Sequence, residues 1–508
     1  MPRSRTTRPK ASPRADSGKW LDLGLLILAS ALAGIYVLTL VHQAVGGQFS
    51  SDECFHAHMA ERILAHHGLP TVMPELYSGR YYYYQPFLHL LGAAWIALFG
   101  PAALHPLPVV FVALTWAAVL FAPPLPIAPR VWAILACLSS VALAQYAVRL
   151  YVEGLTTLLV TTAGVLFLWF HRTGQMRFAL ALGAVCGIAT LTKLHGWILP
   201  AALAGLGLAY GLVGWRPRAV GALAAAALAT AIGLPWLVRV GVLFGSPWYP
   251  AFAPDLDRTL YALEVRKFGL PPGTLLAGIP AYLGPAICFL VLAALGLAIL
   301  RRRWTVHVGL ALFALGSMVA LVFVPLTSSR HLNPFVPLLA LASSAAIAEL
   351  AGRKWLPGVL TPILLIPAGL AVATLPDYRA QADPDLWLRT ALSEIGPIVP
   401  PGRTILSLWT YDTFYYTKRP TTWPVPWGQR RRPIVLFYER DPDRFLKELD
   451  QYGIDYLLVP ALIKPVAFDG TNYPESFMDC VDNLLKRGAL EAAWESPELV
   501  LVRNPGQP

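Results

Sequence analysis

Charge is what this sequence lacks most: only 14% of its 508 residues are Asp, Glu, Lys or Arg, against 56% that are hydrophobic. Such a chain cannot clothe a globule in polar side chains, and its mean hydropathy of +0.54 excludes an ordinary soluble domain. Cysteine is scarce too. Of five, Cys137, Cys186 and Cys288 fall within apolar runs, which leaves Cys54 and Cys480 as the one pair open to a disulfide, and their spacing does not demand it. No Cys/His cluster has metal-ligand spacing, and no internal repeat is visible. Acids are fewer than bases, 29 against 40, for a formal charge of +11. The basic excess sits at the ends of apolar runs, so nucleic acid is not the natural partner; anionic lipid and phosphate are.

What the chain has in abundance is apolar stretches of roughly 20 residues, the length that crosses a bilayer. The first, 20–45, follows Arg3, Arg5, Arg8, Lys10, Arg14 and Lys19 in a Pro/Arg/Ser-rich tail, 1–19, that reads as disordered and cytoplasmic. It is too long for a signal-peptide core and stays as an anchor. Further stretches lie near 105–122, 131–148, 153–170, 178–194, 196–213, 219–238, 275–300, 306–325, 332–350 and 356–375. The fold class expected is an α-helical polytopic membrane protein of about eleven transmembrane helices, occupying 20–375, with a first outer loop over 46–104.

Sidedness turns on the apolar segment 86–100. Laid along the interface as a juxtamembrane helix, it leaves Arg130, Arg172, Arg177, Arg216, Arg218, Arg301, Arg302, Arg303, Arg353 and Lys354 on the side of the basic N-terminus, as the positive-inside rule requires. Asp52, Glu53, Glu153, Lys193, His195, the loop 239–273, Arg330 and His331 then share the outer face.

Beyond about 376 charge rises and the long apolar runs stop. Short runs at 404–408, 434–437 and 454–459 read as buried strands, and 441–452 and 474–487 as helices, the first opening on Asp441-Pro442 in N-cap and first-turn positions. A soluble α/β domain over 376–508 is expected on the outer face.

Several side chains on that face carry chemical potential. Asp52-Glu53 is a carboxylate pair just outside a span, a place suited to acid/base work on a lipid-delivered substrate as well as to plain solvation of a loop. The stretch 56–66 has the spacing of an amphipathic helix lying on the bilayer. Glu153, in Arg149-Leu-Tyr-Val-Glu153, sits where one run hands over to the next; it faces a polar cavity, pairs with Arg149 one turn earlier, or does both. Lys193 and His195 stand in a near-absent loop, where snorkelling explains the lysine as well as function does. Arg330-His331 run against the inside bias, which an anion would justify. Arg80, Arg149, Lys193 and Arg330 are together suited to a lipid phosphate. Tyr81 to Tyr84 line a sugar site or anchor in the aromatic belt, and Trp409-Thr-Tyr411-Asp412 reads as a strand end.

Taken in order, these elements resemble the GT-C superfamily of polyprenyl-phosphate-sugar glycosyltransferases, in particular the bacterial branch of protein O-mannosyltransferases and lipid A aminoarabinose transferases. Asp52-Glu53, His67-Gly68-Leu-Pro70, Tyr77-Ser-Gly79-Arg80 and Gln85-Pro86-Phe87-Leu88 are similar to that family's first outer loop, with Gln85 and Phe87 where the family has Lys and a second Pro. Arg149 to Glu153 resembles its second outer loop, 187–199 its glycine-to-lysine hairpin, Pro235-Trp236 through Phe244-Gly245-Ser-Pro247-Trp-Tyr249-Pro250 a loop of bacterial members, and Arg330-His-Leu-Asn-Pro334 the start of a late span.

The resemblance implies transfer of one sugar from a polyprenyl phosphate to a hydroxyl acceptor on protein, lipid or polysaccharide, with inversion, at the outer face of a bacterial cytoplasmic membrane. Asp52 would be the base, with Glu53 and Glu153 orienting substrate. Arg80, Arg149, Lys193, His195, Arg330 and His331 would hold the departing phosphate. No resident metal is assigned, although paired acids leave a divalent cation open. A polytopic transporter or lipid flippase is the other reading of the same composition.

Overall fold

The protein is described here by a computed structural model over residues 15–49, 52–73, 80–82, 84–122, 125–193, 215–247, 271–323, 329–353, 355–378, 386–422, 436, 439–461, 473 and 475–506. Its apolar stretches are helical because a backbone in lipid must satisfy its own N–H and C=O groups. In chain order they are α1 (Ala15–Gly46), α2 (Asp52–His66), α3 (Phe87–Phe99), α4 (Leu107–Leu120), α5 (Ile127–Leu138), α6 (Val141–Ala147), α7 (Val152–Thr173), α8 (Met176–Thr192), α9 (Trp215–Phe244), α10 (Pro272–Leu283), α11 (Pro285–Arg301), α12 (Val306–Val322), α13 (Val336–Ala351) and α14 (Leu356–Ala373). Between α2 and α3 the short strands β1 (Val72–Met73) and β2 (Arg80–Tyr81) pair antiparallel.

Among the described residues five helices are long and apolar enough to cross a membrane: Leu23–Gly46, Val152–Thr173, Arg218–Phe244, Arg330–Ala351 and Leu356–Ala373. Two stretches that read as straight spans are broken. α5 and α6 meet at 72°, and α10 and α11 at 98°, the second at Gly284, whose φ of 80° and following Pro285 end one helix and start the next. Counting each pair as one span gives up to 7; α3, α4, α8 and α12 are shorter apolar helices. The expected span at 196–213 lies outside the described residues.

Helices α8 and α9 approach each other closely. A Cβ on Gly183 of α8 would stand 2.5 Å from the Ala225 carbonyl oxygen of α9, and one on Gly187 would stand 2.7 Å from Ile232 Cβ. Glycines let two backbones close in lipid where a side chain would hold them apart. The C-terminal end of α8, which Lys193 follows, is positioned by that contact.

Beyond α14 come α15 (Leu386–Ile398), β3 (Ile405–Ser407), α16 (Thr410–Thr417), β4 (Thr421–Thr422), α17 (Pro442–Gln451), β5 (Tyr456–Pro460), α18 (Glu475–Lys486), β6 (Glu491–Glu495) and β7 (Leu499–Arg503). One five-stranded sheet has the order β4-β3-β5-β7-β6, parallel among β4, β3 and β5 and antiparallel beyond. Strand alternation decides its packing. Leu457 and Val459 of β5 meet Phe445, Leu449 and Phe477 of α17 and α18, while Tyr456 and Leu458 meet Leu388, Leu392 and Ile395 of α15 on the other face. The helices expected at 441–452 and 474–487 are α17 and α18, and the Asp441 side chain caps α17 by accepting from the Asp443 N–H at 3.0 Å.

Two expectations change. Trp409-Thr-Tyr411-Asp412 opens a helix: β3 stops at Ser407, whose Oγ accepts the Trp409 N–H at 3.1 Å and bonds Thr413 Oγ1 at 2.8 Å, turning the chain into α16. Cys54 and Cys480, whose spacing does not demand a disulfide, are buried free thiols. The helix expected to lie on the bilayer over 56–66 begins earlier, at Asp52, and is packed between α3 and α16, with Phe55, Ala57, Met59 and Ala60 buried. Its apolar face is covered by protein. The strand expected at 434–437 lies outside the described residues except Leu436.

Hydroxyls of α16 grip the segment carrying α2. Tyr416 donates to the Phe49 carbonyl at 2.6 Å, Tyr415 to Glu61 at 3.3 Å, and the Tyr411 and Tyr84 hydroxyls bond at 3.1 Å.

Candidate active site at a junction of helix ends

Four distant pieces of chain deliver charge to one place. Asp52 and Glu53 form the first turn of α2, where carboxylates meet the positive end of the helix dipole. Glu153 is in the first turn of α7. Lys193 follows α8 with an extended backbone that takes it out of the helix. Arg330 and His331 lie in the 3-10 turn Ser329–Phe335 that leads into α13.

Glu153 is the hub. Its Oε1 accepts from Lys193 Nζ at 2.5 Å and lies 3.5 Å from Arg330 Nε and 3.4 Å from His331 Nε2. Glu153 is almost wholly buried, Lys193 nearly so. Such charges are tolerable only because each has an opposite partner at contact distance. On the open side Arg330 Nη2 donates to Asp52 Oδ2 at 2.6 Å, both side chains remaining partly exposed. The guanidinium also lies over the Tyr151 ring, 4.6 Å from Cζ to centroid, a cation–π contact that fixes its plane. Two carboxylates, Asp52 and Glu153, thus balance two cations, Lys193 and Arg330. An anion entering here must compete with Asp52 for Arg330.

Glu53 adjoins Asp52 in sequence but turns away from this cluster. It is fully buried, and its Oε1 accepts the Leu150 N–H at 2.8 Å, while Arg149 Nη1 donates to the Tyr151 hydroxyl at 3.0 Å. These contacts set the turn that enters α7 and therefore aim Glu153. Burial pushes the Tyr151 phenol up to about 12, with Arg149 and Arg330 opposing; it stays protonated at neutral pH.

The structure therefore brings together Asp52, Glu153, Lys193, Arg330 and His331, and sets Glu53 and Arg149 behind them. Arg80 pairs through its backbone with Met73; its side chain and the whole of His195 lie outside the described residues. Tyr151 was not singled out from the sequence, although its place two residues before Glu153 was the available signal. Nor were His56 and His89, which the fold brings to bonding distance. Among the described residues no group of three His, Cys, Asp or Glu side chains could hold a metal ion.

The chain has the fold of the GT-C glycosyltransferases. The oligosaccharyltransferase AglB of Archaeoglobus fulgidus, solved with an inhibitory peptide and a dolichol-phosphate, superposes with a TM-score of 0.60 at 14% identity, over 87% of this chain and 70% of that one. ArnT of Cupriavidus metallidurans, solved with undecaprenyl phosphate bound, gives 0.60 at 15% identity over 95% of this chain and 98% of that one. The mycobacterial arabinofuranosyltransferase AftD gives 0.51 at 14% identity, over 94% of this chain but only 40% of its own length. No protein-family model and no curated protein sequence matches the chain.

Proposed function

We propose that the protein is a membrane glycosyltransferase that moves one sugar from a polyprenyl phosphate to a hydroxyl acceptor at the outer face of the membrane, with inversion. The observation that carries this reading is the Asp52–Arg330 contact beside the Glu153–Lys193 pair: a candidate base and two candidate phosphate-binding cations within one cluster. The lipid phosphates bound to AglB and ArnT support the donor class.

In the proposed reaction the acceptor oxygen forms a bond to the anomeric carbon as the bond from that carbon to the phosphate oxygen breaks. The acceptor proton passes to the Asp52 carboxylate, and the bonding pair leaves with the phosphate. Arg330 and Lys193 stabilise that departing charge. In the structure the Asp52 carboxylate is engaged by Arg330. Donor phosphate drawing the guanidinium away would free the carboxylate as the sugar arrives, so the donor binds before the acceptor is activated. Glu153 holds Lys193 and Arg330 side by side; His331, Arg149, Arg80 and His195 are further phosphate candidates, and Glu53 orients the cluster through the 149–152 turn.

The test is incubation of purified protein with a panel of polyprenyl-phosphate monosaccharides and hydroxyl acceptors, with products read by mass spectrometry. Transfer from none of them would remove the reading. In the same system Arg330→Ala should weaken undecaprenyl phosphate binding about ten- to a hundred-fold, the worth of a hydrogen bond to a charged group. Unchanged affinity would make Arg330 a structural residue only.

A further inference from the structure

Behind Asp52 runs a buried hydrogen-bonded chain that the proposed reaction does not use. The Tyr82 hydroxyl meets His89 Nδ1 at 2.5 Å, and His89 Nε2 meets His56 Nδ1 at 2.7 Å. Tyr82 is fully buried, His89 and His56 nearly so. Arg239 of α9 pins the tyrosine in place, donating to the Tyr82 carbonyl at 3.0 Å and the Pro70 carbonyl at 3.1 Å.

The protons in this chain can be placed. Among the described residues His89 is the only partner of the Tyr82 hydroxyl. A buried hydroxyl proton must go to an acceptor, so Tyr82 donates to His89 Nδ1. His89 therefore carries its own proton on Nε2 and gives it to His56 Nδ1. His56 is left with its proton on Nε2, which has no partner among the described residues.

His56 stands one helical turn after Asp52, on the same face of α2. Burial takes its pKa down to about 4, with Asp52 and Glu153 opposing that fall and Arg330 and Lys193 adding to it. At neutral pH it is an uncharged donor beside a cluster whose own cations are already spent on Asp52 and Glu153. To an incoming phosphate a neutral N–H with no carboxylate to displace adds a charge-assisted hydrogen bond beside those of the cations.

We infer that His56 is a binding residue for the phosphate of the lipid donor, giving its Nε2–H to a phosphate oxygen in the tautomer that His89 and Tyr82 impose. This assignment rests on the protein's taking a lipid-phosphate donor.

The experiment is titration of wild type, His56→Ala and His56→Gln, each in nanodiscs, with undecaprenyl phosphate, undecaprenol and inorganic phosphate. Glutamine places an N–H near the position of Nε2. His56→Ala should lose about ten- to a hundred-fold in affinity for undecaprenyl phosphate, His56→Gln should recover most of it, and none of the three proteins should distinguish undecaprenol. Equal binding by wild type and His56→Ala overturns the assignment and leaves the donor class standing; a wild type that does not bind the lipid phosphate removes both. If the variants fail to fold, the wild type decides. With isotope-labelled histidine, the His56 Nε2–H resonance should move on adding undecaprenyl phosphate and not on adding undecaprenol. A resonance indifferent to the lipid phosphate overturns the proposal. Movement with inorganic phosphate as well supports it and shows that the oxyanion alone is recognised.

Discussion

Asp52→Asn should lower sugar transfer by about 10²- to 10⁴-fold, the usual worth of a positioned general base, while the protein folds and takes up lipid phosphate as before. The side chain is one-third exposed, and asparagine fills the same space at the first turn of α2. The substitution also removes the anion that holds Arg330 at 2.6 Å, so undecaprenyl phosphate affinity should stay level or rise. Turnover and lipid binding therefore separate in this one variant. Wild-type turnover would take Asp52 out of the chemistry.

Glu153→Gln should act on stability first. The carboxylate is buried against Lys193 and Arg330, and removing one member of a buried ionic cluster leaves the others charged and unpaired, at a cost of about 3–5 kcal/mol. The thermal midpoint in detergent should fall accordingly. Adding Lys193→Gln should restore part of the loss, because the stranded cation goes as well. A single variant as stable as wild type would show that Lys193 and Arg330 find other anions, and that Glu153 is not the hub.

These two results concern residues that were legible in the sequence for different reasons. Asp52 and Arg330 stood out as an acid pair next to a span and a base against the inside bias. Glu153 stood out because an ionisable side chain at a span boundary has to face something polar. Glu53 shows the limit of that reasoning. Position groups it with Asp52, but adjacent residues on a helix diverge by about 100°, and only the packing of α2 against the 149–152 turn shows that Glu53 faces Leu150. The break between α10 and α11 could have been suspected from Gly284-Pro285; its 98° angle could not. His56 and His89 give no local signal, and Tyr82 stands out only as one of the run Tyr81 to Tyr84, because the relation of the three is one of contact through space and not of spacing along a helix.

By itself the sequence determined the membrane class, most of the helical stretches and the change to an α/β region beyond 376, since these follow from local hydropathy and the 3.6 and 2 residue periods. It also supplied an ordered set of motifs whose resemblance pointed to the GT-C fold that the structure has. The tertiary structure alone decided that Asp52 and Arg330, 278 residues apart, touch, that Lys193 reaches Glu153, and that an imidazole chain stands behind them. Periodicity tells which face of a helix is apolar, but contact between distant side chains depends on how closely and at what angle helices cross, which residues such as Gly183 set through space.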